Sequence, residues 1–415
     1  MNYQKTIHQK VNNMRYIPLL VAITIVSSFA TNAQKEITLQ EARQKVLTAP
    51  EIKQAELNLK IQRLNRHLDY DFGMTEATYS NDKEKALPDN QKIAITQKDM
   101  DLLSIFAKRS LSHEMVELSS LQRDFVTTTM IKNISEAWIA NYCRGQIYHI
   151  YEEINDSFKN ILRAAQIRYK AEETSKLDLL ATQNEGYRLK IEMQEALADY
   201  KQTEIDLNKW FEEGSKYQAS LISSEQLISS LPPIPKDLGQ SIILDIAQKG
   251  SSVEEAKWKV MKSGFFPKIN MGYNKAIGNH TNGAYGFEIG ISIPLPFNGT
   301  ITEAKKAKIQ KEHAKLEAQK VSRDTKSTYA SLYTDYLKWQ KTWQYYQENA
   351  LPLAQEQHKG AIKAYEEGGI DYITFLQNIR DALKLEVEAW LTFESYLKCY
   401  YTLEYLITTN SKNEF

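Results

Sequence analysis

The chain has 415 residues, with 52 basic and 52 acidic side chains and only two cysteines. The charge balance excludes the basic footprint of a nucleic-acid binder, and two cysteines are too few for a disulfide framework. A quarter of the residues are charged, 16 are Gly, 10 are Pro and the mean hydropathy is −0.50, which suits extended, solvent-washed helix.

Residues 1–33 read as a Sec-type signal peptide. Lys10 and Arg15 precede the apolar run from Ile17 to Val26, and Ser27, Ser28, Ala30, Thr31 and Ala33 supply the small residues of a cleavage site. The mature chain is expected to start at Gln34. The apolar run is too short to span a bilayer, and no later stretch offers about 18 consecutive apolar residues. Neither Cys143 nor Cys399 closely follows the leader, so no lipid-modified cysteine is expected.

The next unit, 34–213, opens with the helical pattern "TLQEARQKVLTAPEIKQAELNLKIQRL". Two strands follow, at about 67–79 and 91–97. In the first, Leu68, Tyr70, Phe72 and Met74 alternate with Asp69, Asp71, Gly73 and Thr75; in the second only Ile93 and Ile95 carry the pattern. A long helix runs from about 104 to 169, then a turn and a shorter helix. Residues 214–239 read as a linker, with Pro232, Pro233 and Pro235 stopping any helix. The unit 240–409 repeats the order: "SIILDIAQKGSSVEEAKWKVMKS" as helix, strands at about 266–278 and 284–295, a long helix from about 301 to 365, a turn and a final helix. A tail, 410–415, closes the chain.

The two units are copies. A shift of 196 positions lays Tyr169 on Tyr365, Leu177 on Ile373, Leu189 on Leu385 and Tyr200 on Tyr396 without a gap. The same shift lays Ile93 on Ile289 and Ile95 on Ile291, far upstream. This is a tandem duplication.

In "YGFEIGISIPLPF", Tyr285, Phe287, Ile289 and Ile291 point one way and Gly286, Glu288, Gly290 and Ser292 the other. Aromatics gather toward the strand ends, at Tyr70, Phe265, Phe266, Tyr285, Phe287 and Phe297, as in the girdles of membrane barrels. Four strands cannot close a barrel, and an open edge facing lipid costs several kcal/mol per unpaired group. Three chains pooling twelve strands would close one. By simple alternation Glu76 and Lys275 fall on the apolar side, two faults that call for a bulge or a place near the rim.

With "EIGISIPLPFNGTITEAKKAKI" at the strand-to-helix passage and "AYEEGGIDYITFLQNIRDAL" at the second helix turn, the whole mature chain resembles the TolC-like outer-membrane efflux proteins. The resemblance implies a mainly α fold with a membrane β-barrel portion: a homotrimeric, twelve-stranded barrel in the outer membrane of a gram-negative bacterium, continued by an α-helical periplasmic tunnel. It implies passive conduction to the exterior in a tripartite system, with a periplasmic adaptor protein, an inner-membrane pump and outer-membrane lipid as partners. The compact length and short linker look closer to the heavy-metal-efflux branch, whose cargo is metal cations. Strand residues Tyr70, Phe72, Tyr273, Phe287, Ile289 and Ile291 would then face lipid.

Seven histidines lie at 8, 67, 113, 149, 280, 313 and 358, none at metal-ligand spacing with Cys or another His. No phosphate loop or nucleophile elbow occurs. No enzyme, cofactor, metal site or nucleic-acid partner is therefore expected. At the helix turns, Ser175 and Asp178 fit a capping box and Asp371 an N-cap after Gly368 and Gly369. By family position, Asp178 and Tyr365 match residues that hold neighbouring helix pairs shut at the periplasmic tip. Thr374 and Gln377 fall where some members place channel-narrowing aspartates, so no acidic ring is expected there. The rival reading is a periplasmic coiled-coil adaptor or scaffold, but an adaptor has one helical hairpin beside a compact β domain, whereas this chain has two hairpins and two strand pairs.

Overall fold

The computed structural model describes residues 35–66, 72–82, 90–102, 104–211, 214, 216–277, 283–295 and 298–408. The expected leader, Tyr70 and the tail 410–415 lie outside these residues. Strand β1 (Lys35–Ile37) leads to α1 (Leu39–Val46) and α2 (Pro50–Asn65). Thr38 and Glu41 close a capping box on α1, and Pro50 opens α2 where its missing N–H is not needed. Strands β2 (Met74–Asp82) and β3 (Asn90–Met100) follow, then α3 (Ser104–Lys170) and α4 (Lys176–Asn208). The segment between the copies forms β4 (Tyr217–Ala219), parallel to β1, and α5 (Ser224–Ser229). The second copy gives α6 (Ile242–Ser263), β5 (Lys268–Ala276), β6 (Tyr285–Ser292), α7 (Asn298–Tyr345), a π turn (Tyr346–Ala350), α8 (Leu351–Glu366) and α9 (Tyr372–Ile407).

Helices α4 and α9 start at Lys176 and Tyr372, 196 positions apart, as the repeat requires. With 67 residues, α3 reaches roughly 100 Å. It contains no Pro, and its single Gly, Gly145, admits the ring of Tyr200: an added Cβ would stand 3.2 Å from that ring. The second long helix is less regular than expected. Pro352 has no N–H to give, and just before it the Leu351 N–H reaches back to the Tyr346 carbonyl in a π turn.

The helical stripes are thin, and they are buried in two separate clusters. The larger lies where α3, α7 and α9 meet β1, β4 and α1, around Trp138, Tyr142, Trp343, Phe393, Tyr400 and Tyr401. Trp138 Nε1 donates to the Ile37 carbonyl at 2.8 Å, and the hydroxyls of Tyr142 and Tyr400 donate to the carbonyls of Ile222 and Pro232 at 2.6 and 2.9 Å. Buried aromatics thus bind the inter-copy segment to the core, so this stretch is more than a tether. The smaller cluster lies near the helix turns, around Ile154, Phe158, Leu189, Tyr365, Phe375 and Ile379.

The main sheet is antiparallel in the order β2-β3-β5-β6. Residues directly opposite in such a ladder share a face. Ile289 stands opposite Met271, Phe287 opposite Tyr273, Ile95 opposite both Tyr273 and Ala77, and Ile93 opposite Tyr79. One face is therefore mainly apolar across the four strands, most fully on β5 and β6, with Thr75, Gln97 and Lys275 set into it and Asn81 and Gln91 at one end. Glu288, Gly272, Thr96 and Glu76 line the other.

The register resolves one of the two parity faults. Among the described residues the first strand starts at Met74, the expected stretch 67–71 lying outside them, and Met74 shares the polar face with Glu76, which pairs with Lys98. The phase is set at Gly73 (φ +78°), where a Cβ would lie 1.9 Å from the Lys98 carbonyl oxygen, and across from it the ladder slips between Gln97 and Met100, with Asp99 at φ +58°. Lys275 does lie on the apolar face, next to the end of β5, where a long side chain can reach the rim.

Candidate functional site

The apolar face of the sheet has no cover within the chain. Phe287, Ile289 and Ile291 are 78%, 76% and 67% exposed, far from what a soluble sandwich leaves open. Tyr273 packs its ring 5.3 Å from Phe287 on the same face. Phe72 precedes β2, on the far side of the Gly73 turn, and is also exposed. Strands β2 and β6 each pair on one side only.

The helices repeat this open-ended order. Helix α2 packs on α3, α3 on α6 and α6 on α7. At one end of the row α2 exposes Leu57, Ile61 and Leu64, on the side opposite its buried Ile52 and Leu59. At the other end α7 exposes Ile309 and Leu316, opposite its buried Ala307. Among the described residues no helix is long and apolar enough to cross a membrane.

The two hairpin turns have the same build. Glu173 N–H donates to the Arg168 carbonyl and Glu172 takes φ +60°; 196 positions on, Gly369 N–H donates to the Ala364 carbonyl and Gly368 takes φ +75°. Both are Schellman stops. The caps that follow are mirror images in chemistry. In the first copy the hydroxyl of Ser175 caps and the carboxylate of Asp178 answers; in the second the carboxylate of Asp371 caps and Thr374 answers, its N–H and hydroxyl at 2.9 and 2.8 Å. Gln377 is exposed one turn on.

Asp178 Oδ2 accepts from the hydroxyls of Ser175 and Thr174 at 2.7 and 3.0 Å and from the Ser175 N–H at 3.2 Å, which together hold its carboxyl below the usual range. The carboxylate is thus engaged in its own cap. Tyr365 is buried, stacked 4.7 Å from Phe375, and meets Arg168, although Asp178 lies near enough to act on its phenol. The Arg168 guanidinium lies over the Tyr365 ring at 5.0 Å and donates to the carbonyls of Tyr365 and Glu366 at 2.9 and 3.4 Å. Burial pushes the Tyr365 phenol up, Arg168 opposes, and the nearby Asp178 carboxylate adds a smaller upward push.

A second contact joins the hairpins, and nothing in the sequence flagged it. Glu185 on α4 is buried, yet accepts a fork from Arg380 on α9 at 2.6 and 3.2 Å and a bond from Arg188 at 2.6 Å. Burial raises its carboxyl, but the two arginines outweigh that and leave it lowered. Arg380 sits 195 positions after Glu185, so only the packing of copy on copy could reveal the pair. Among the described residues, His113, Glu114 and Glu117 gather their ligand atoms within 4.8 Å. The Lys249 ammonium bonds Glu114 at 3.0 Å and Glu117 at 2.5 Å, so the cluster is already charge-paired.

No protein-family model and no curated protein matches the sequence. Solved structures do match its fold. CusC, 14% identical, is similar over 91% of this chain and 94% of its own with a TM-score of 0.72. The CmeC outer-membrane channel of Campylobacter jejuni, 12% identical, covers 94% and 92% with a TM-score of 0.74. The open-state MtrE outer-membrane channel of Neisseria gonorrhoeae, 14% identical, covers 90% and 91% with a TM-score of 0.66. The chain has the fold of these channels over nearly its whole length.

Proposed function

On that fold, we propose that the protein is the outer-membrane channel of a tripartite efflux or secretion system. Three copies would close a twelve-stranded barrel continued by a helical tunnel, through which cargo delivered by an inner-membrane pump and a periplasmic adaptor passes without catalysis. The uncovered apolar face of the sheet carries this reading. It is broadest on β5 and β6 and extends through Ile93, Ile95 and Tyr79, the sheet ends in one free edge on each side, and the face backs onto a polar one suited to a water-filled lumen. A head-to-tail contact satisfies the free edges and the bare stripes of α2 and α7 at once. A periplasmic scaffold would leave Phe287, Ile289 and Ile291 in water.

Fractionation and reconstitution test the proposal. The protein should require detergent for extraction, run as a trimer and give ion current in planar bilayers. Release by salt or alkaline wash, with no current, would support the scaffold instead.

A further inference from the structure

Charge is balanced over the chain but not along it. In the two helical turns beside the sheet, Lys60, Arg63 and Arg66 close α2, Arg109 opens α3, and Lys262 closes α6; α7 begins with Lys305 and Lys308 in its first three turns. Carboxylates are fewer at this level: Glu303 lies in the first turns of α7, Asp101 precedes α3 and faces Lys108, and Glu255 on α6 pairs with Lys259 and Lys311. Lys60, Arg63, Arg66, Arg109, Lys305 and Lys308 are exposed and have no carboxylate partner among the described residues. Farther from the sheet the pattern changes, and Lys249 is shared by Glu114 and Glu117. At the same level as the basic girdle, the Trp258 ring lies between Lys262 and Lys311, at 5.1 and 4.7 Å. Phe106 and Phe266, 77% and 47% exposed, stand between the girdle and the sheet.

Apolar surface, then aromatic rings, then unpaired cations is the order in which a protein crosses from hydrocarbon into a charged headgroup layer. We propose that this girdle grips the anionic phospholipid headgroups of the leaflet at the helical end of the sheet. Arginine forks suit the phosphate oxygens, and the lysines add charge at the same depth. The inference rests on the sheet being embedded in a bilayer.

The test uses the full chain, extracted in mild detergent, with phosphatidylglycerol or phosphatidylcholine added and bound lipid counted by native mass spectrometry. Phosphatidylglycerol should be retained about tenfold better, a preference that fades as salt rises, as expected for several cations each contributing modestly at a surface. A variant carrying Arg63→Gln, Arg66→Gln, Arg109→Gln and Lys308→Gln should lose the preference and still insert into phosphatidylcholine vesicles. Equal retention of the two lipids by the parent overturns the inference and leaves the channel reading intact. So does a variant that keeps the preference, or one in which only the ion selectivity of the current changes, which would place these side chains in the tunnel. Failure of the parent to enter either vesicle overturns both readings.

Discussion

Arg168 belongs to the first copy and bonds the end of a helix in the second, so its removal separates two roles that sequence position assigned to Tyr365 and Asp178. The Tyr365 ring and carbonyl hold the guanidinium, while Asp178 is held by Thr174 and Ser175. Arg168→Ala is therefore expected to raise single-channel conductance or open time in planar bilayers, and Tyr365→Phe, which keeps both the ring and the carbonyl, to leave them unchanged. The reverse result would return the latch to the phenol. Asp178 carries a different prediction. Its carboxyl is lowered in the folded state by Ser175, then Thr174, so the cap contributes stability above the ordinary carboxylate pKa and loses it as pH falls through the lowered value. Circular dichroism of the parent should show helix loss at acid pH that Asp178→Asn flattens. Ser175→Ala should cost about 1 kcal/mol at neutral pH, the usual worth of a cap. An unchanged acid limb in Asp178→Asn would show that the cap does not titrate.

At the scale of elements, the strands and the hairpin link make the sharpest demands. Replacing Ile289 with Arg should cost roughly 2–4 kcal/mol if it sits near the bilayer midplane, whereas Glu288→Lys on the opposite face should be tolerated; guanidinium unfolding from liposomes measures both. Equal tolerance would place the sheet in water. Arg380→Ala should cost about 1.5–3 kcal/mol, less than breaking an isolated buried pair, because Arg188 still bonds Glu185. Much of this architecture was legible in advance. Ile93 and Ile95 lie 196 positions before Ile289 and Ile291, and the structure puts all four on one face. Alternation failed at Glu76 because it counts residues and cannot see backbone phase, and the positive φ at Gly73 lies just upstream of β2. The long helix expected from about 301 to 365 is present but interrupted by a π turn before Pro352, whose missing N–H the apolar periodicity does not register. Glu185 with Arg380 could not be read at all, because each looks like an ordinary exposed charge on its own helix.

Across the whole molecule, the proposed trimer would have to close at two levels with one operation. The sheet and the helix row run in the same chain order and end in the same two copies, so the proposed contact that joins β6 to the next β2 would also bring α7 against the next α2. Because that contact is heterologous, a mismatch in either layer would open the ring into a chain of subunits. The helical layer can be probed without touching the strands. Ile309→Glu combined with Leu316→Glu puts two carboxylates on the α7 stripe, where burial against an apolar neighbour would desolvate them. Within a single chain both positions face solvent, so the fold of the protomer should survive, with circular dichroism unchanged. The trimer should dissociate in mild detergent at concentrations where the parent stays assembled, and current in bilayers should fall with it. Changing Leu57 and Ile61 on α2 to Lys should do the same alone. Combined with the α7 variant it should restore part of the assembly, through opposite charges meeting across the joint. If the carboxylate pair leaves the trimer intact, α7 does not form the joint, and the ring closes through the strands alone. If each single variant dissociates but the combination gives no recovery, the two stripes do not meet each other.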